Sequence, residues 1–321
     1  MRTTTLRSTL LSAVLTLAVA CGGSSSPGGG GGGTGGGSGG GSGGGSGGGS
    51  GGSSGPAATF CASYLQALAT LTSQCASGSV ANWEANVFSS SPGCGEVQAA
   101  VDAGRVTYNA GQSSACISAI QGSSCSTFSF VNPEPAACQA TLSGTVAVGG
   151  TCYDSIDCAG MTTYCNIASG CQGTCANQIA IGQACQGGGC VNGATCFNQV
   201  CTAQAAPPAQ VGQGQACGYI QAQQQTVACQ AGLACDLVTS LCASVINQGS
   251  ACTPGHGLCE YFTACNPTGN TCQPWPSTAG ATCGVATGQD YVGCMGGFTC
   301  NVTSGTTGTC VAVAASSCTQ D

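Results

Sequence analysis

The chain contains no lysine, and its arginines number three: Arg2, Arg7 and Arg105. Charged residues of both signs fill 4% of its 321 positions, against about 25% in ordinary soluble domains. A nucleic-acid binder needs a basic stripe to neutralise phosphates, and this chain has none to offer. The same scarcity excludes P-loop chemistry and a polybasic membrane patch. Histidine is represented once, by His256 in Pro254-Gly255-His256-Gly257. Serine or cysteine nucleophiles need a base, usually His, and His256 has no aspartate close by in sequence. An exposed loop histidine is therefore expected, and no catalytic residue. C-x2-C is missing too, which removes both the usual zinc spacing and the thiol-redox motif. Asp154 and Asp157 stand as calcium ligands or as solvated loop carboxylates, and calcium asks for six to eight oxygens. Neither metal nor cofactor is expected.

Long apolar runs are also missing. The longest, Leu10 to Ala20, follows the basic start Met1-Arg2-Thr3-Thr4-Thr5-Leu6-Arg7. A bilayer span takes about 20 apolar residues, so residues 1–20 read as a secretory signal peptide. The run ends Leu17-Ala18-Val19-Ala20-Cys21, which resembles a bacterial lipobox, with Cys21 as the lipidated residue. Parity agrees: setting Cys21 aside from 29 cysteines leaves 28, an even number. By resemblance to known lipoprotein sorting rules, Gly22 behind it implies the outer membrane. Residues 21–56 then form a tether of Gly and Ser that cannot bury apolar surface. Its mean reach is about 30–35 Å.

Composition changes at Pro56. Over 57–148 a small helical domain is expected, with six cysteines: Cys61, Cys75, Cys94, Cys116, Cys125 and Cys138. Phe60, Tyr64, Leu65, Leu68, Leu71 and Cys75 share one helical face. The pattern predicts further helices over Glu96 to Tyr108 and Ser114 to Ile120. Six cysteines allow fifteen pairings, and spacing does not choose among them.

From residue 149 to 321 one pattern recurs five times. Cys152, Cys185, Cys217, Cys252 and Cys283 lead the units, each behind a nearby glycine, and lie 33, 32, 35 and 31 residues apart. Four units contain C-x5-C, as Cys190/Cys196, Cys229/Cys235, Cys259/Cys265 and Cys294/Cys300; the first has Cys158/Cys165 with one residue more. Cys171, Cys201, Cys242, Cys272 and Cys310 are read as the closing cysteines, leaving Cys175 and Cys318 as extras. Gly193, Gly232 and Gly297 lie within C-x5-C and are expected to supply a positive-φ turn. The units fall at about 149–181, 182–213, 214–248, 249–279 and 280–321. Each is too small to bury a core, so disulfides take the core's place. The fold class expected is small and disulfide-rich: a mainly α, disulfide-stapled domain, then tandem repeats of short β-hairpins and loops.

The spacing C…C-x2-G-x2-C…C, with its leading glycine, is similar to the Dickkopf N-terminal cysteine-rich domain. The whole order, with Gly104-Arg105-Val106-Thr107-Tyr108, Ala115-Cys116, Ser124-Cys125 and Pro135-Ala136-Ala137-Cys138 in the helical part, resembles the cysteine-rich lipoproteins of myxobacteria. Unit three departs with eleven residues between its first two cysteines, and unit four lacks the interior glycine. The resemblance implies an exported, lipid-anchored protein and brings no catalytic residues.

Trp275, held between Pro274 and Pro276, suggests a contact surface, since Trp is enriched at interfaces; the alternative is a cap over a disulfide. Tyr261 and Phe262 carry the same ambiguity. The function expected is a non-enzymatic surface protein of the cell envelope that displays disulfide-stapled interaction modules. It meets the membrane through its lipid and a protein or polysaccharide partner that the sequence does not name. The alternative is a secreted-type protease inhibitor or ligand-binding module working through its inter-cysteine loops.

Overall fold

A computed structural model describes residues 55–88, 93–125, 135–167, 172–185, 189–203, 208–220, 225–285, 289–295, 297–304 and 306–312. The signal segment, Cys21, the tether, Cys171 and Cys318 lie outside the described residues. The helical domain opens with α1 (Pro56–Ala76), started by a proline at its first turn, where the missing N–H costs nothing. Its first N–H groups are met from another helix: Gln98 Oε1 accepts from Ala57 N at 3.0 Å and Ala58 N at 3.3 Å. That duty explains why Gln98 is buried. Phe60, Leu68 and Leu71 point into the core, with Tyr64, Leu65 and Cys75 half-buried against it.

After α1 come a short helix α2 (Val80–Trp83), a π-helical turn over Glu84–Phe88, and α3 (Cys94–Asp102). The helix expected over Glu96 to Tyr108 stops at Asp102. Gly104 takes φ 72°, and Val106–Tyr108 forms strand β1. The β-branched pair Val106 and Thr107 suits that extended state. Asn109 then caps α4 (Ala110–Gln121), its side chain accepting from Gly111 N. That helix starts four residues before the expected Ser114. Pro135 leads into α5 (Ala136–Gln139), and β2 (Leu142–Gly144) pairs antiparallel with β1. Disulfides Cys61–Cys94, Cys75–Cys125 and Cys116–Cys138 tie this helical layer together. Each contributes about 2–4 kcal/mol.

The repeats share one covalent rule. In every unit the first cysteine bonds the third and the second bonds the fourth. The pairs are Cys152–Cys165 with Cys158–Cys175, Cys185–Cys196 with Cys190–Cys201, and Cys217–Cys235 with Cys229–Cys242. Cys252–Cys265 with Cys259–Cys272 and Cys283–Cys300 with Cys294–Cys310 complete them. The third and fourth cysteines face each other across an antiparallel hairpin, as Cys165↔Cys175, Cys196↔Cys201, Cys235↔Cys242, Cys265↔Cys272 and Cys300↔Cys310. Directly opposed residues project from one face, so both bridges leave the hairpin together. The closing cysteine of unit one is thus Cys175, not Cys171, because it is Cys175 that lies opposite Cys165.

The hairpins pair Thr163–Asn166 with Gly173–Asn177, Ala194–Phe197 with Val200–Ala203, and Leu233–Cys235 with Cys242–Ser244. They continue with Thr263–Asn266 and Thr271–Pro274, then Phe298–Ser304 and Thr307–Ala312. A backbone clamp repeats with the sulfurs. Gly149, Gly182, Gly214, Gly249 and Gly280, at φ 75–90°, each donate to the carbonyl of their unit's closing cysteine at 2.7–2.8 Å. The closing cysteine donates back to the residue after that glycine at 2.8–3.0 Å. In unit one the repeated glycine is Gly149, one position before Gly150.

Units are joined by a second recurring bond. The residue after each second cysteine donates to a carbonyl ahead of its unit: Ala159 to Val146, Val191 to Ile179, Gln230 to Val211, Glu260 to Ile246 and Met295 to Pro276. Each unit therefore begins a few residues earlier than its glycine signal. Peptide mapping of the oxidised chain should find Cys259 linked to Cys272 and Cys252 to Cys265. A Cys259–Cys265 peptide would contradict the architecture.

Candidate functional site

Three clusters bring side chains of different segments together, and all lie where units meet. The first contains the aromatic residues singled out by sequence. Phe262 and Trp275 are buried, and Tyr261 is half-buried. They join Trp83, which is fully buried, and Tyr291 in one core with Leu68 and Leu71 of the helical domain. Trp83 lies 4.9 Å from both Tyr261 and Phe262, ring centre to ring centre; Phe262 lies 5.6 Å edge-on from Trp275, and Trp275 5.6 Å edge-on from Tyr291. The expected outward contact surface is thus an internal seam between units four and five and the helical domain. Neither is Trp275 simply a lid on a disulfide, since its ring partners are aromatic.

Phe262 shows why unit four departs from the pattern. It takes φ 64° at the place where Gly193, Gly232 and Gly297 take φ 79–83°. A left-handed backbone costs an L-residue about 1–2 kcal/mol, and edge-on aromatic pairs return about 0.5–1.5 kcal/mol each beyond burial. The glycine turn has become an aromatic plug. That turn leads into the first hairpin strand rather than lying between the two strands. Phe262→Gly should destabilise the chain less than Phe262→Ala, by about 1 kcal/mol, because glycine relieves the backbone while both leave the cavity. Paired thermal melts check the order.

The second cluster joins the helical domain to unit one. Arg105 Nε lies 3.3 Å from Asp157 Oδ2, with its guanidinium 4.7 Å above the Tyr153 ring. Asp157, 1% exposed, also accepts from Tyr153 N at 2.8 Å and Asp154 N at 3.3 Å. Asp154 in turn caps the turn Ser155–Asp157 by accepting from Ile156 N. The pair are therefore neither solvated loop carboxylates nor a set of calcium ligands. They hold a seam. Burial raises the Asp154 carboxyl to about 6, the Ile156 hydrogen bond opposes this, and the charges of Asp157 and Glu96 add to it. A carboxyl raised above its unfolded value stabilises the fold most below about pH 4, and that contribution is lost as pH rises through about 6. Asp154→Asn keeps the cap and removes the charge. It should stabilise the chain at pH 7.5 by an amount on the order of 1–3 kcal/mol, read as a higher melting temperature, and change it little at pH 4; equal shifts at both pH values would contradict this.

The third cluster corrects the reading of His256. Its Nδ1 lies 3.0 Å from Asp236 Oδ2, brought there from unit three although twenty residues away in sequence. Asp236 is buried. Burial pushes its carboxyl up, but His256 and the N–H groups of Val238 and Thr239 outweigh that and hold it at about 2. Beside the pair is a pocket of about 220 Å³ lined by Ile246, Ala251, Cys252, Thr253, His256 and Leu258. Among the described residues no Ser, Thr or Cys side chain hydrogen-bonds the imidazole. Asp290 does similar work at the next seam, accepting from Gly257 N at 2.8 Å and Cys265 N at 3.1 Å.

The units also gather sulfur. In unit one the sulfurs of Cys152, Cys158 and Cys175 lie within 4.8 Å of one another. They are consumed in disulfides, so this closeness reflects two stacked bridges. Trp83, Asp236 and Asp290 went unmarked in the sequence. The one available signal was the missing glycine at position 262.

Comparisons with protein-family models, curated proteins and solved structures gave no match. The geometry itself describes an exported-type, disulfide-stapled module. Among the described residues no helix is long and apolar enough to cross a membrane.

Proposed function

We propose that the protein is a non-enzymatic, lipid-anchored display protein of the bacterial outer membrane. Cys21 carries the lipid, the Gly/Ser tether spaces the folded part from the bilayer, and the stapled units present loops to a partner. The observation that carries this reading is the division of the cysteines. Thirteen disulfides among the described residues take up twenty-six of the 29. Of the three others, Cys171 and Cys318 lie in or after the repeats, and Cys21 alone stands at the end of an apolar run and the start of a Gly/Ser stretch with nothing to staple. Two or more acyl chains there would anchor stably. The unit sulfurs are held in disulfides, which supports a role in presenting a stapled surface. The resemblance to the cysteine-rich lipoproteins of myxobacteria points the same way.

Intact mass of the exported chain should show acyl groups on a new N-terminus at Cys21. Cys21→Ser should remove the acyl mass and let the protein be washed from the membrane fraction without detergent, whereas the wild type needs detergent, with its disulfide map unchanged. An acyl-free N-terminus would remove the anchor from this proposal.

A further inference from the structure

Five exposed large apolar side chains lie at the tips of two hairpins, while Val302 stands on the unit-five hairpin and Val148, Met161 and Ile181 lie in connecting turns. In unit two, Phe197 (63% exposed) and Val200 (40%) face each other across the strand pair and flank a two-residue turn, Asn198-Gln199, with φ 50° and 62°. In unit three, Leu237 (49%), Val238 (65%) and Leu241 (41%) crown the corresponding tip. The residue before the closing cysteine separates these units from the rest. It is Val200 and Leu241 here, but Thr174, Thr271 and Thr309 in units one, four and five. Those three units meet the helical domain, through Asp157 and through the aromatic seam. Unit four's tip, Asn266 to Asn270, is polar.

Charge does not separate the hairpins: those of units one, two, four and five hold no charged residue, and that of unit three holds Asp236 alone. From residue 158 to residue 235 the sequence has 78 positions without Asp, Glu, Lys, Arg or His. Tyr219 (56% exposed) lies within that stretch. The unit-three tip ends on Asp236, but that carboxylate is turned inward to His256 and to Val238 and Thr239 N–H. It holds the tip in shape and presents no charge outward.

We propose that the tips of units two and three insert into the lipid surface from which the chain is tethered, as a second, shallow membrane contact. This rests on the anchored reading above. Separate, protruding loop ends suit the yielding interface of a bilayer, whereas a folded partner calls for a continuous, shape-matched face. A charge-free stretch enters that interface without desolvating ions. The two-residue turn and the Asp236 cap order the tips beforehand, so little entropy is lost on insertion. A tether with a mean reach of about 30–35 Å holds them at high local concentration near the bilayer. Contact made this way needs no anionic lipid and is insensitive to salt, unlike a polybasic one.

The test uses the full mature chain carrying Cys21→Ser, with phosphatidylethanolamine/phosphatidylglycerol vesicles. It should co-float with the vesicles equally at low and high salt. Phe197→Ser combined with Leu237→Ser and Val238→Ser should lower the partition coefficient at least about tenfold, with melting temperature and disulfide map retained. Failure of the Cys21→Ser chain to partition overturns the proposal, as does equal partition by the triple variant. Concentration-dependent dimerisation without vesicle binding also overturns it, because the tips would then meet a second copy. Intact mass of the wild-type chain reads the anchor separately, so failure of the anchor and failure of the tips are told apart.

Discussion

Two crossed disulfides on one face of a hairpin are the constraint from which everything else in the repeats follows. The third and fourth cysteines are fixed opposite one another by strand register, and each reaches back to an earlier cysteine of its unit. Closing these overlapping loops removes unfolded-chain entropy that a unit of this size could not offset with apolar burial. Because sulfur does that work, the remaining positions are free to vary. Loops differ in length between units, and unit three carries an extra strand pair, Gly218–Ile220 with Gln225–Cys229. The glycine clamp survives in all five because it bonds the chain entering the unit to the strand that closes it.

The chain has ten acidic residues, and Asp157, Asp236 and Asp290 are buried. All three lie at seams, with three different partners: an arginine, a histidine, and two backbone N–H groups. They sit at different places relative to their units' cysteines, so they are not part of the repeat. In so nearly uncharged a chain, buried charge has been reserved for fixing one unit against the next. A buried charge that loses its partner is costly, which makes each seam selective about its neighbour.

Much of this was legible in the sequence, and the failures share a cause. Repeat number, hairpin class and the role of sulfur followed from spacing, because spacing is local. The closing cysteine of unit one was misread because Cys171 and Cys175 both fit a variable loop, and only strand register separates them. The helix through Tyr108 was overextended because Gly104 was weighed less than the apolar period beyond it. For Trp275, Tyr261 and Phe262 the sequence leaves an outward surface and a disulfide cap both open, because nothing local reports a partner such as Trp83, 179 residues from Phe262. His256 looked solitary for the same reason. Long-range closure was the hidden term, and its trace was a departure: a phenylalanine where three units have glycine.

That closure bears on how such a chain can evolve. An open solenoid can gain or lose a unit and merely change length. Here unit one leaves the helical domain at Arg105, and unit four returns to it at Trp83, so units one to three form an arch fixed at both feet. Adding or deleting a unit inside the arch would move Phe262 away from its socket. The number of repeats is therefore set by the span between two points on the helical layer, and duplications are accommodated only beyond the far foot.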